Sequence, residues 1–199
     1  KIKQYIEKSR PRSAVVVGGG YIGVEMAENL ANAGLDVTIV ELSDHLIAPL
    51  DFDMAADVHR YIKSKGIKLA LGNGVVLSVG VRPDTSFIKS AEIETNERGS
   101  IIVNEKMQTS APDVYAVGDA VAVKNFVTGE PSFIPLAGPA NKQGRIAADN
   151  ICGIPSEYKG TQGSSVLKLF DMTVATTGLN EKSAAAAGYD YDKTYTYSA

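Results

Sequence analysis

Gly18, Gly20 and Gly23 stand in the spacing G-x-G-x-x-G, directly after Val15-Val16-Val17 and directly before the run Tyr21 to Ala33. A buried strand, a glycine turn and the first turn of a helix therefore follow one another. Gly18 permits the tight turn, Gly20 lets a diphosphate approach the backbone, and Gly23 lets the helix press on the sheet. Free N–H groups and the helix dipole at such a start attract phosphate charge. A second strand, Asp36 to Val40, ends at Glu41, eighteen positions after Gly23. A carboxylate at that offset accepts hydrogen bonds from both hydroxyls of an adenosine ribose and repels a 2′-phosphate. No arginine follows at 42–44, so the pattern favours NAD(H) over NADP(H). The plainer alternative is a glycine turn that binds nothing, with Glu41 a solvated charge.

These residues need a frame to hold them. Residues 1–9 read as the end of a helix, and Pro11 interrupts it. Asp51 is the expected N-cap of a helix running to about Lys65, which Gly66 stops. Gly34 ends the preceding helix in the same way. Ile67 to Leu71 reads as a third strand, and β-α-β-α-β is half of a doubly wound nucleotide-binding fold. Beyond it, Val75 to Gly80 reads as a strand after a Gly/Asn turn, and residues 84–91 as a short helix. Ser100 to Val103 and Val114 to Val117 read as strands, and Leu136 to Ile151 as an amphipathic helix. Ser165 to Phe170 and Thr173 to Thr177 read as strands, and Asn180 caps a helix through Ala187.

The chain has 199 residues, with 44% hydrophobic, 22% charged and a net charge of −3. That is ordinary globular composition. Its scattered Lys and Arg carry no nucleic-acid footprint, and no apolar run is long enough to span a bilayer. The single cysteine, Cys152, forms no internal disulfide, which fits a reducing, cytoplasmic setting. It reads as a buried structural residue. His45 and His59 lack partners at metal-ligand spacing and read as surface residues, so no metal site is expected. The chain starts at Lys1 and stops at what reads as a strand, Tyr195 to Tyr197, as an internal piece of a longer protein would.

Four segments together resemble the pyridine nucleotide-disulfide oxidoreductases, the two-dinucleotide flavoproteins. They are Val17 to Glu25, Ser78 to Thr85, Met107 to Ala120 and Pro135 to Arg145. The chain is most similar to the branch of coenzyme A-disulfide reductases, NADH oxidases and NADH peroxidases. The resemblance implies a Rossmann-like, doubly wound α/β NAD-binding domain at 11–111, after a linker or helix end at 1–10. It implies the C-terminal part of an FAD-binding domain at 112–160 and the start of an α+β dimerisation domain at 161–199. It also implies a β-meander between the segments matching Gly74 and Val76, which this sequence lacks.

The resemblance further implies roles for individual residues. The turn Gly18-Gly19-Gly20-Tyr21-Ile22-Gly23 and Glu41 hold NAD(H). Tyr21 gates the nicotinamide pocket, Glu25 lies near nicotinamide and flavin, and Gly80 leaves room for the nicotinamide ring. Gly118-Asp119 holds the ribityl chain of FAD, and the backbone N–H groups of Leu136 and Ala137 face the flavin pyrimidine. Taken singly, Tyr21 also reads as a half-buried helix tyrosine and Glu25 as a solvated acid. Gly118-Asp119 also reads as an ordinary turn, and Leu136-Ala137 as plain helix entry after Pro135.

The implied enzyme passes hydride from NADH to FAD and on to a cysteine centre, a disulfide substrate or oxygen, as a homodimer. The family's redox cysteine lies outside this sequence, so no catalytic residue is expected in it. The piece itself is expected to bind NADH, hold FAD poorly and catalyse nothing. Two other classes stay open: a flavin-free NAD-dependent dehydrogenase, which leaves Gly118-Asp119 unexplained, and a non-catalytic NADH sensor.

Overall fold

The computed structural model describes residues 1–72 and 83–196. The chain divides into two compact units. One comprises Lys1–Val79, Val166–Ala175 and Asn180–Ala199; the other comprises Gly80–Ser165 and Thr176–Leu179.

The first unit opens with α1 (Ile2–Ser9) and is built on a parallel sheet. Its strands are β1 (Ser13–Val17), β2 (Asp36–Glu41) and β3 (Lys68–Leu71), in that spatial order. Their β-branched residues suit a pleated, buried surface. Register sets Val16 opposite Ile39, Val17 opposite Val40 and Glu41 opposite Leu71. The crossovers are α2 (Tyr21–Asn32) and α3 (Phe52–Ser64). Val24 and Ala27 of α2, and Ala55, Val58 and Ile62 of α3, recur at helical spacing and are buried against Val37 and Ile39 in one core. At the end of α2, Gly34 takes φ +86°. Its N–H meets the Ala31 carbonyl while that of Leu35 meets Leu30, a Schellman stop. The β-α-β-α-β reading of the sequence is thus the observed one.

Asp51 sits at the N-cap of α3, but its carboxylate does not cap the helix. It accepts instead from the Glu181 N–H, at 2.9 and 3.1 Å. Strands β7 (Ser165–Leu169) and β8 (Met172–Thr176) pair with each other, and Leu167, Leu169 and Val174 join the first core. Asn180 caps α5 (Glu181–Ala186) through a reciprocal capping box with Ser183. Its amide also reaches the Ala48 and Pro49 carbonyls at 3.3 Å. Asn180→Ala should therefore cost about 1 kcal/mol, read as a lower urea midpoint at unchanged slope.

In the second unit, β4 (Ile101–Ile102) lies parallel to β5 (Val121–Lys124), which pairs antiparallel with β6 (Pro131–Ser132). Helix α4 (Ala137–Ile151) buries Pro139, Gln143 and Ala147, four residues apart. Ala147 joins Ile101, Met107, Val121, Val123 and Tyr158 in a second core. A 3-10 turn covers Ser86–Ala91.

Four expectations are corrected. Val114 to Val117 is not a strand: only Tyr115 makes an isolated bridge, to Gln108, and Val114 and Val117 are exposed. Among the described residues, no strand lies beside this stretch to complete a ladder. Cys152 is exposed, because it is the C-cap of α4 and falls off the buried stripe that ends at Ala147. His45 and His59 are half-buried rather than on the surface. Tyr195 and Thr196 form no strand; the Tyr195 hydroxyl instead bonds the Asp53 carboxylate at the start of α3. The expected strand at 75–80, and with it Gly80, lies outside the described residues, as does Tyr197.

Candidate functional site

The turn between β1 and α2 is shaped by its glycines. Gly18 takes φ +105°, a conformation that side chains resist. Its N–H continues the sheet ladder to the Val40 carbonyl at 2.9 Å. A Cβ at Gly20 would meet open space, so a ligand can lie against that backbone. A Cβ at Gly23 would collide with the Gly18 carbonyl oxygen and would lie 3.6 Å from Val16 of the sheet. The third glycine thus lets the helix seat on the turn as well as on the strand.

Gly19, between the first two motif glycines, is held hardest. Its N–H donates to Glu41 Oε2 at 2.5 Å, and its carbonyl accepts from the Ile47 N–H at 2.8 Å. A Cβ there would strike Leu46 and crowd Glu41. Glu41 Oε1 accepts from the Ser43 N–H at 2.8 Å. Partial burial alone would raise the Glu41 carboxyl pKa. The N–H groups of Ser43 and Gly19 outweigh it, so the pKa lies below the ordinary glutamate value. Glu41 is therefore ionised at neutral pH, and its two oxygens keep lone pairs for further donors.

No side chain caps the N-terminus of α2. The orphan N–H groups of such a start need an acceptor from outside the helix. An uncapped helix start, an open flank at Gly20 and an ionised carboxylate at the end of the next strand fit a dinucleotide. The diphosphate meets N–H groups and dipole, and a sugar diol meets the carboxylate. Tyr21 opens α2, half-buried with its ring against the first core. Ile22 and Glu25 are exposed on the following turn.

The second unit carries the other predicted set. Gly118 takes φ +86° and opens the 3-10 turn Gly118–Ala120, on which Asp119 is exposed. Leu136 is the N-cap of α4, Ala137 its first residue, and no side chain caps that end either. The Leu136 N–H donates to the Ile134 carbonyl at 3.0 Å.

Two residues with structural claims on these sites had no role in the sequence reading. Gln143 is 1% exposed, and its Oε1 accepts from the Gly118 N–H at 2.7 Å, which fixes the Gly118-Asp119 turn. Its place midway between Pro139 and Ala147 on one helical stripe is the sequence signal for burial. Gln143→Leu leaves that N–H without its acceptor and should cost about 1–3 kcal/mol, measurable by denaturant unfolding. The second is His59, whose Nε2 accepts from the Leu46 N–H at 3.0 Å.

Two family profiles, both described as pyridine nucleotide-disulphide oxidoreductase, match residues 13–86 and 72–144. An NADH oxidase of Methanocaldococcus jannaschii is 36% identical over 208 residues, covering 92% of this chain and 46% of the relative. Among solved structures, the reduced CoADR-RHD of Bacillus anthracis superposes with a TM-score of 0.91 at 46% identity, covering 96% of this chain and 39% of its own. The water-forming NADH oxidase of Lactobacillus brevis, bound to NADH, gives 0.85 at 30%, covering 94% and 47%. An engineered form of that oxidase, bound to NADPH, gives 0.85 at 31% and covers the same shares. The chain spans about half the length of the curated relatives it matches. With one match falling on the glycine turn and the parallel sheet and the other on the segments that follow, the chain belongs to the pyridine nucleotide-disulfide oxidoreductase family.

Proposed function

We propose that the first unit binds NADH, with the diphosphate on the backbone N–H groups at the start of α2 and the adenosine ribose on Glu41. The observation that carries this reading is the carboxylate itself. Two backbone N–H groups hold it ionised beside a helix end that no side chain caps. Glu41 accepts the ribose hydroxyls and opposes a 2′-phosphate. Tyr21 and Glu25 border the nicotinamide end.

The engineered NADPH-bound oxidase supports the selectivity. Its substitutions include an aspartate-to-alanine change eighteen positions after a glycine-to-alanine change, with arginine introduced at the next position. That is the spacing of Gly23 and Glu41, followed by Leu42.

The second unit supplies part of an FAD site. Asp119, on the turn that Gln143 fixes, takes a ribityl hydroxyl, and the open N–H of Ala137 at the start of α4 donates to the flavin pyrimidine. Leu136 contributes by sharing its N–H between the Ile134 carbonyl and the flavin. A flavin held there would supply the acceptor for hydride from NADH. The first unit's part is to hold and orient the dinucleotide, and the second unit's is to hold the flavin. In the whole protein the final acceptor is a disulfide, reached through a cysteine centre, or oxygen. The assembly is a homodimer in the cytoplasm, with residues 161–199 beginning its dimerisation domain. Among the described residues no helix is long and apolar enough to cross a membrane.

Anaerobic mixing of the whole protein with NADH and with NADPH tests this reading. NADH should bleach the flavin absorbance at least tenfold faster than NADPH. No bleaching by either nucleotide refutes it. A flavin-free protein that oxidises NADH would instead favour the plain dehydrogenase.

A further inference from the structure

The loop between β2 and α3 touches the glycine turn at two points. The Leu46 side chain is fully buried and lies where a Cβ of Gly19 would sit. The Ile47 N–H donates to the Gly19 carbonyl at 2.8 Å. Ile47 does so from φ +56°, a conformation that a β-branched residue keeps only when its surroundings impose it. Part of that imposition comes from α3. His59 Nε2 accepts from the Leu46 N–H at 3.0 Å, so the ring is neutral and carries its proton on Nδ1.

We propose that His59 is a positioning residue for the dinucleotide turn: as a neutral acceptor it fixes Leu46, and through Leu46 and Ile47 it fixes Gly19 against Glu41. The assignment rests on the dinucleotide reading of the glycine turn. Protonation reverses the contact, because Nε2–H then faces the Leu46 N–H, donor against donor. The loop loses its anchor, and Gly19 loses the partner that aligns its carbonyl.

The groups around the ring set where this happens. Lys63 lies one turn further along α3, and His45 and Asp44 come from the loop. Phe52 meets both imidazoles edge-on, at 6.2 Å from His45 and 6.5 Å from His59. Asp44 is tied to His45 Nδ1 at 2.6 Å. Burial, then Lys63 and His45, push the His59 pKa down, against a smaller upward pull from Asp44. A lowered histidine pKa means that the neutral, bonded form holds above the ordinary imidazole range. It is lost only as pH falls through the lowered value. Glu41, held below the ordinary glutamate value, stays ionised through that window.

The test is NADH titration of the chain at about pH 7.5 and about pH 5, with His59→Gln and His59→Leu alongside. Wild type should weaken by about tenfold on acidification, the effect of one unit of pKa difference between free and bound protein. His59→Gln keeps an acceptor that does not titrate and should stay within about threefold of neutral wild type at both pH values. His59→Leu should be about tenfold weaker already at the higher pH and fall no further. The proposal is overturned if His59→Gln falls in step with wild type, or if His59→Leu binds as wild type does at the higher pH.

Amide NMR without nucleotide separates the two claims. The Leu46 and Gly19 N–H resonances should move with the midpoint of the His59 ring, and immobility overturns the proposal. If wild type binds no NADH at either pH, the dinucleotide reading fails. The amide titration then decides by itself whether His59 holds the turn.

Discussion

Replacing Glu41 by alanine is expected to weaken NADH by about 10- to 100-fold, the worth of one or two charge-assisted hydrogen bonds. NADPH should weaken little or bind better, because the charge that opposes its 2′-phosphate is gone. Leu42 is 61% exposed, so an arginine there reaches solvent, and the 2′-phosphate, without repacking anything. Glu41→Ala with Leu42→Arg should therefore reverse the preference, by about two orders of magnitude in the ratio of affinities. Calorimetric titration with both nucleotides reads the result. An NADH affinity indifferent to Glu41 would mean that the ribose lies elsewhere.

The same carboxylate gives a pH dependence of known sign. Its pKa in the fold is lowered, so its contribution is complete above the ordinary glutamate value and disappears as pH falls through the lowered one. With His59→Gln removing the histidine's effect, NADH affinity should stay level from neutrality through mild acid. It should fail only below the range where free glutamates titrate.

The second large effect belongs to Gly23. A methyl group there meets the Gly18 carbonyl oxygen, which is backbone and cannot rotate away as a side-chain tip would. Either α2 lifts off the sheet or the turn opens. Overpacking of this kind costs about 1–3 kcal/mol. It also displaces the N–H groups that the diphosphate would use. Gly23→Ala should thus remain folded, with a lower urea midpoint, and bind NADH up to about tenfold more weakly, a bounded loss because the engineered oxidase with a glycine-to-alanine change at the same spacing still binds its dinucleotide. Gly20→Ala places its methyl in open space and should be nearly silent for folding while obstructing the ligand. A Gly20→Ala protein that binds NADH normally would show that the diphosphate does not pass over that residue.

These contrasts also mark how far the sequence could be read. The first unit's frame was legible because each part is locally encoded. Val15-Val16-Val17 has one strong preference, the glycines punctuate it, and α2 and α3 repeat their apolar residues at helical spacing. Glu41 was legible from its offset alone. What the offset did not reveal is that Glu41 is clasped by Gly19 and Ser43 before any ligand arrives, a consequence of the parallel register between β1 and β2.

Val114 to Val117 failed for the opposite reason. Its composition suits a strand, but a strand needs a neighbour, and the bridge from Tyr115 to Gln108 supplies only one. Cys152 is exposed because the phase of α4 decides burial at the helix end. The stripe Pro139, Gln143, Ala147 predicts exposure five residues later. The roles of Gln143 and His59 are not legible in the sequence, because each accepts from a backbone N–H distant in sequence, on Gly118 and Leu46, and no pattern of residue types announces such a bond. The strand β5 and its short partner β6 are not legible in the sequence, because four and two residues are too few to establish alternation.

A crystal structure of the chain soaked or grown with NADH tests the central claim most directly. The diphosphate is expected against the backbone of Gly20 to Gly23, with both adenosine ribose hydroxyls on the Glu41 carboxylate. An empty turn at millimolar nucleotide, or a dinucleotide seated elsewhere with Glu41 bonded only to Gly19 and Ser43, would contradict it.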